Sequence, residues 1–129
     1  LDIQPFPWAE EVLRLVEASC SKHDESLYIL TKPGKQLHSY IGKLKWLHNY
    51  FDGHLDHCVA TRLPKRLFAN HTALLIDDTE SNVADFGGWD GSSAILFPAR
   101  HNRLYQLFAD PIPYLKAQLK DQGYALWMY

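Results

Sequence analysis

Thr31, Lys65 and the adjacent pair Asp77 and Asp78 each follow an apolar or mixed run, "LYIL", "HCVATR" and "ALLI" in turn. A hydroxyl can donate to a phosphoryl oxygen and an ammonium can neutralise it. Carboxylate oxygens are the hard donors that Mg²⁺ prefers. Gathered in one place, these groups would suit a phosphate with its metal. Two neighbouring carboxylates repel unless a cation holds them, and Lys65, a metal ion or plain solvent could each relieve that repulsion. Singly, each residue has a plainer reading. Thr31 could open the Lys-Pro-Gly turn, Lys65 could be a solvated surface lysine, and Asp78 or Thr79 could start a helix. The order Thr, Lys, Asp-Asp, each past a strand, lifts the set above those separate readings.

For the groups to meet, the chain must place its strand ends at one edge, as a parallel sheet does at the carboxyl ends of its strands. The periodicity supplies the parts. "PFPWAEEVLRLVEAS" predicts an amphipathic helix over about residues 7 to 19, with Pro7 in its first turn and Trp8, Val12, Leu15 and Val16 on one face. "SLYILTKPG" reads as a buried strand closed by Pro33 and Gly34. "QLHSYIGKLKWLHNYF" returns to a helical period through Leu37, Tyr40, Ile41, Leu44 and Leu47 or Trp46. "DHCVATR" is a weak strand, "TALLIDD" a strong one, "SSAILFPA" another, and "IPYLKAQLKDQG" a helix stopped by Gly123. Strands separated by helices imply an α/β fold with a mainly parallel sheet covered on both faces. No repeat or linker interrupts it, so residues 1–129 read as one domain.

Composition excludes several function classes. The chain has 129 residues, 47 % of them hydrophobic, enough for a real core. No apolar run approaches the roughly 20 residues that span a bilayer, and no signal-peptide pattern opens the chain, so a cytoplasmic protein without a membrane partner is expected. The net charge of −2, with both signs interspersed, lacks the basic footprint of a protein that binds a nucleic-acid polymer. Cys20 and Cys58 are too few for a disulfide framework and fit a reducing compartment. "HLDHC", with His54, His57 and Cys58, has no second half-site at ligand spacing, which makes zinc the weaker reading. In "GGWDG" the glycines permit a tight connection, with Trp89 expected to pack back onto the domain.

The order and spacing of the motifs resemble the haloacid dehalogenase-like (HAD) phosphohydrolases, closest to the 5'(3')-deoxyribonucleotidases and their bacterial and phage relatives. "LDIQPFPWAEEVLRLV" is similar to their entry into the core helix and "YILTKP" to the second motif. "KRLFANHTALLIDD" is similar to the third and fourth motifs, and "AILFPARHN" to the last strand and the loop after it. The likeness covers roughly residues 1 to 105. It implies a Rossmannoid three-layer core and a Mg²⁺-dependent hydrolysis of phosphate monoesters through an aspartyl-phosphate. By the same likeness Thr31 and Lys65 are the catalytic groups, Thr31, Lys32 and Lys65 hold the phosphate, and Asp77 or Asp78 holds Mg²⁺. His101 and Asn102 would stand behind them. The substrate would be a small phosphorylated molecule, with nucleotides the leading class.

The sequence departs from that family in one decisive respect. The nucleophile belongs to a first motif, DxDx[TV], on a strand absent from this chain, and the small cap that follows it is absent too. The expected chain is therefore a fragment of a longer protein whose N-terminal segment completes it. The parent would be a phosphatase, and this chain alone would be inactive; the alternative is a catalytically inactive HAD-like domain used for binding or structure. In the family fold the missing strand lies between "LYILT" and "ALLID", so both would be left with an open edge.

Overall fold

The structure, a computed structural model, describes residues 5–23, 25–32, 34–51 and 57–123. The chain groups into two compact units, Leu1–Leu63 and Pro64–Tyr129. Together they make a mixed α/β protein with parallel strand pairs.

In the first unit, helix α1 spans Ala9–Lys22. Pro7 lies ahead of it rather than in its first turn, and Trp8 stands at the N-cap, its carbonyl accepting from the Val12 amide at 3.0 Å. Glu10 and Glu11 near the start and Lys22 near the end each match the helix dipole. The helix runs three residues past the expected end because Cys20–Lys22 contain no breaker. Leu15, Val16 and Ser19 are its buried residues, and the Ser19 hydroxyl is satisfied by donating to the Leu15 carbonyl at 3.0 Å.

Strand β1 (Ile29–Thr31) and strand β2 (Cys58–Ala60) pair in parallel, Ile29 opposite Cys58 and Thr31 opposite Ala60. All six residues are half-buried, so β1 is not the fully buried strand that its apolar run suggests. Helix α2 (Leu37–Phe51) connects them as expected. Its apolar period is real, but Leu47 is buried while Leu37 is 74 % exposed and Ile41 and Leu44 are exposed too. The pattern specifies a face and not what covers it.

The second unit holds strand β3 (Leu74–Asp77) and strand β4 (Ser93–Leu96), parallel, with Leu74 opposite Ser93 and Asp77 opposite Leu96. Helix α3 (Glu80–Phe86) lies against both strands. Two residues separate it from β3, and the sequence marks only its start, at Asp78 or Thr79, since Val83 and Phe86 alone cannot establish a period. Helix α4 (Ile112–Asp121) follows Pro111, carries Pro113 in its first turn and stops ahead of Gly123, which takes φ 96°. The core of this unit comprises Leu75, Phe86, Ile95, Leu96, Ala99, Ile112, Leu115 and Leu119. Each of the larger of these side chains, Ala99 apart, contributes about 1.5–3 kcal/mol of burial free energy.

Between α3 and β4 the chain turns through Gly88 and Gly91, both at positive φ, and Asp90 at φ 52°. The Ser92 hydroxyl closes the turn by donating to the Phe86 carbonyl at 2.5 Å, and the Gly88 amide donates to the Ser92 carbonyl at 2.8 Å. Trp89 does not pack back onto the domain as expected. It is 53 % exposed, with the Arg66 guanidinium 5.6 Å from its ring centroid. Arg66 is itself held by Asp85 at 3.0 Å, so the ring lies beneath a fixed cation.

Among the described residues no helix is long and apolar enough to cross a membrane. Cys20 and Cys58 are free thiols, and burial pushes both up from the ordinary value, with Glu25 and Glu17 adding to the effect at Cys20.

Candidate functional site

Strand period separates the two aspartates. Along β3 the residues alternate between half-buried and buried, and Asp77 shares the buried face with Leu75. The Asp77 side chain is accordingly 4 % exposed, while Asp78, one residue on, is 52 % exposed. A carboxylate on a buried face needs partners, and Asp77 has three. Lys65 Nζ lies 2.5 Å from Oδ2, the Asn82 amide donates to Oδ2 at 3.3 Å, and the Thr79 backbone N–H donates to Oδ1 at 2.8 Å. Burial by itself would push this carboxyl up. The Lys65 hydrogen bond, the Thr79 N–H, the Lys65 charge and Asn82 together outweigh it and hold Asp77 below the usual aspartate value. Asp77 is therefore an anion at neutral pH, and Lys65 is the cation paired with it.

Each partner is placed by local structure. Lys65 opens a 3₁₀ turn, Lys65–Phe68, after Pro64, whose extended backbone (φ −57°, ψ 137°) starts it. Thr79 is the N-cap of α3 but makes no side-chain cap bond; the Asp77 carboxylate takes the Thr79 amide in place of a cap. Asn82 is the third residue of α3, the position from which a side chain reaches back toward the helix start. Sequence reasoning missed Asn82, and that position relative to the aspartates is the signal that finds it.

Asp78 is fixed through its backbone. Its carbonyl accepts from Asn102 Nδ2 at 2.8 Å and lies 3.1 Å from His101 Nε2. Its own carboxylate is held loosely, with the Thr79 hydroxyl 3.4 Å from Oδ1 and His101 Nε2 3.7 Å from Oδ2. Beside it Arg103 grips Glu80, Nη1 to Oε1 at 2.7 Å and the Arg103 amide to Oε2 at 3.1 Å, and this holds the Glu80 carboxyl below its usual range.

Lys65, Asp77, Asp78, His101 and Asn102 thus gather around one strand end. Thr31 and Lys32 lie in the first unit. Thr31 is the last residue of β1, again a carboxyl end, and its carbonyl accepts from the Thr61 amide at 3.0 Å. Among the described residues the Thr31 hydroxyl makes no hydrogen bond. The turn after it is closed instead by the Gly34 amide donating to Ser39 Oγ at 2.7 Å, and Lys32 is exposed. Among the described residues the hydroxyl is therefore not spent on the turn it precedes.

The donor set suits a hard cation in kind. Mg²⁺ commonly takes one or two carboxylates and completes its shell with water and substrate phosphate, and Asp77 and Asp78 are two carboxylates on consecutive residues. Of the two, Asp78 has the freer oxygens. Among the described residues no group of three or more His, Cys, Asp or Glu side chains could hold a metal by itself. His57 points its Nδ1 at the Leu27 carbonyl, 3.3 Å away, and stacks on Tyr28; its zinc partner in the sequence reading, His54, lies outside the described residues.

No family model, curated protein or solved structure matches the chain.

Proposed function

We propose that this chain is the phosphate- and metal-binding part of a HAD-like phosphohydrolase of the nucleotidase type, with a small phosphate ester as substrate. The observation that carries the reading is the contact between Lys65 Nζ and the buried Asp77 carboxylate at the carboxyl end of a parallel strand. That is where ligands sit in α/β sheets, and lysine and aspartate are the groups that phosphoryl chemistry needs there. The fold that goes with this reading is a three-layer Rossmannoid core whose first-motif strand this sequence does not contain, and the free thiols fit a cytoplasmic setting.

In this reading Lys65 holds a phosphoryl oxygen and balances the charge of Asp77. Thr31 and Lys32, in the first unit, are the further phosphate-binding candidates that the sequence resemblance implies. Asp77 and Asp78 would hold Mg²⁺, which supplies further positive charge to the phosphate. His101 and Asn102 hold the strand end that carries both aspartates. The covalent step needs a nucleophilic aspartate from a DxDx[TV] motif, which this sequence does not contain. The chain by itself binds phosphate and does not turn it over.

Calorimetric titration with inorganic phosphate in the presence of Mg²⁺ tests the binding. Saturable binding that is lost in Lys65→Ala is expected; no binding by the folded wild-type chain would sink the reading and leave a structural role for the domain. Incubation with p-nitrophenyl phosphate and Mg²⁺ should give no release of nitrophenol. Turnover abolished by Asp77→Asn would instead show that the nucleophile is within this chain.

A further inference from the structure

Asn102 is 5 % exposed and uses every hydrogen-bonding position of its amide group. Its Oδ1 accepts from the Leu104 amide at 2.9 Å and the Ala99 amide at 3.3 Å. Its Nδ2 donates to the Phe97 carbonyl at 2.8 Å and the Asp78 carbonyl at 2.8 Å. Three of these partners belong to the segment after β4, residues 97 to 104, and would be explained by the shape of that loop alone. The fourth is different. It crosses from the β4 side to the residue that follows β3, between the buried carboxylate and the start of α3.

That bond has a mechanical consequence. The peptide unit that ends in the Thr79 amide begins at the Asp78 carbonyl, so one rigid plane is held at both ends. Asn102 grips its oxygen, and Asp77 Oδ1 accepts from its N–H at 2.8 Å. Rotating this plane would pull the Thr79 N–H away from Asp77 and swing the Asp78 side chain, which has little else to fix it. The ladder is already closed beneath it, where the Phe97 amide donates to the Asp77 carbonyl at 2.7 Å. His101 Nε2 lies 3.1 Å from the same carbonyl, but its side chain is 59 % exposed, so the buried Asn102 amide is the firmer of the two holds.

We propose that Asn102 is a positioning residue: by clamping the Asp78 carbonyl it sets the orientation of the Asp77–Asp78 pair toward a phosphate-bound divalent cation. The cation and phosphate rest on the function proposed above, whereas the clamp itself does not.

The test compares wild type with Asn102→Ala and with Asn102→Ser, a smaller polar change in case the alanine variant fails to fold. Tyr114→Phe serves as the control, because the Tyr114 hydroxyl donates to the Leu96 carbonyl at 2.9 Å and so ties the end of β4 without touching the residues after β3. Two quantities are read on samples that circular dichroism finds folded: amide hydrogen exchange at Thr79, and Mg²⁺-dependent binding of inorganic phosphate. Loss of a group that orients a metal ligand lowers metal affinity by about 10–100-fold. Asn102 variants should therefore bind phosphate at least about tenfold more weakly in Mg²⁺, with faster Thr79 exchange, while Tyr114→Phe lowers thermal stability and leaves both quantities unchanged. Wild-type exchange at Thr79 in a folded Asn102 variant overturns the clamp. Faster exchange with unaltered phosphate binding overturns its positioning role. If the wild-type chain binds no phosphate, the proposed function fails, and Thr79 exchange still decides the clamp.

Discussion

The two strand pairs end alike and are finished differently. In each, the carbonyl of the last residue of the leading strand accepts from the amide one residue past the end of its partner: Thr61 to Thr31 at 3.0 Å, Phe97 to Asp77 at 2.7 Å. Beyond that shared frame they diverge. The β1–β2 strands have three half-buried residues each, and the residue at the end of β1 has a hydroxyl with no partner among the described residues. The β3–β4 strands have four each with buried positions in both, and the residue at the end of β3 is a buried carboxylate tied to a lysine, an amide side chain and a backbone N–H. A parallel strand end offers a place for polar groups, and the depth of the core beneath it decides whether a charge can be fixed there. Only the second pair has that depth.

The largest effect should follow from removing that depth. Leu115, on α4, is fully buried with no exposed surface. Leu115→Ala should cost about 3 kcal/mol of stability from lost transfer and a residual cavity. By hydrogen exchange the loss should show at Phe97 and be smaller at Thr61, because the two amides belong to separate compact units. Equal acceleration at both would mean that the two pairs unfold as one body.

Next in size is the charge itself. Lys65→Met leaves the Asp77 carboxylate on a buried face with only Thr79 and Asn82 as donors. Breaking a buried ion pair costs about 3–5 kcal/mol; with two hydrogen bonds remaining, about 2 kcal/mol is expected at neutral pH. The pH dependence has a definite sign. Asp77 has a folded value below the unfolded one of about 3.9, so its stabilisation is complete above that pH and is lost as pH falls through the depressed folded value. Chemical denaturation from pH 7 downward should show a steep loss below about pH 4 in wild type and a shallower one in Lys65→Met. Identical slopes would remove the ion pair from the account.

How much of this was legible follows the same division. The Thr, Lys, Asp-Asp order was readable because each residue stands past an apolar run, and strand period then explains why Asp77 is the buried member. The helices α1, α2 and α4 were readable from their period, though only within about three residues at their ends. Asn82 and the clamp by Asn102 were not. Asn82 acts through a seven-residue helix too short to announce itself, and Asn102 acts across 24 positions of sequence, which no local pattern encodes. The exposed Leu37, Ile41 and Leu44 and the exposed Trp89 mark the other limit. Amphipathic spacing and ring size state what a residue prefers to bury and leave open what is available to cover it.

A third prediction takes the comparison in the undisturbed chain. Phe97 and Thr61 occupy equivalent places, so their amide exchange measures the two frames directly. Phe97 should exchange about tenfold more slowly or better, equivalent to about 1.4 kcal/mol of extra protection, because opening its bond disturbs the more deeply buried pair. Faster exchange at Phe97 than at Thr61 would reverse the ranking of the two strand ends.

The smallest effect on stability should come from Thr31, and its smallness is the informative part. If this hydroxyl belonged to the turn that begins at Lys32, its removal would cost about 1 kcal/mol, as for an ordinary hydrogen bond. The Gly34 amide is bonded to Ser39 instead, and the Thr31 hydroxyl makes no bond among the described residues. Valine keeps the β-branched shape that a half-buried strand favours, so Thr31→Val should change stability by no more than about 0.5 kcal/mol. Under the proposed function the same change removes a donor to phosphate, which Thr31→Ser would retain. Phosphate titrations in Mg²⁺ should therefore separate valine from serine while thermal melts do not. A stability loss above about 1 kcal/mol in the valine variant, with phosphate affinity unaltered, would return Thr31 to a purely structural role and leave the β3 end as the sole locus of phosphate chemistry in the described residues.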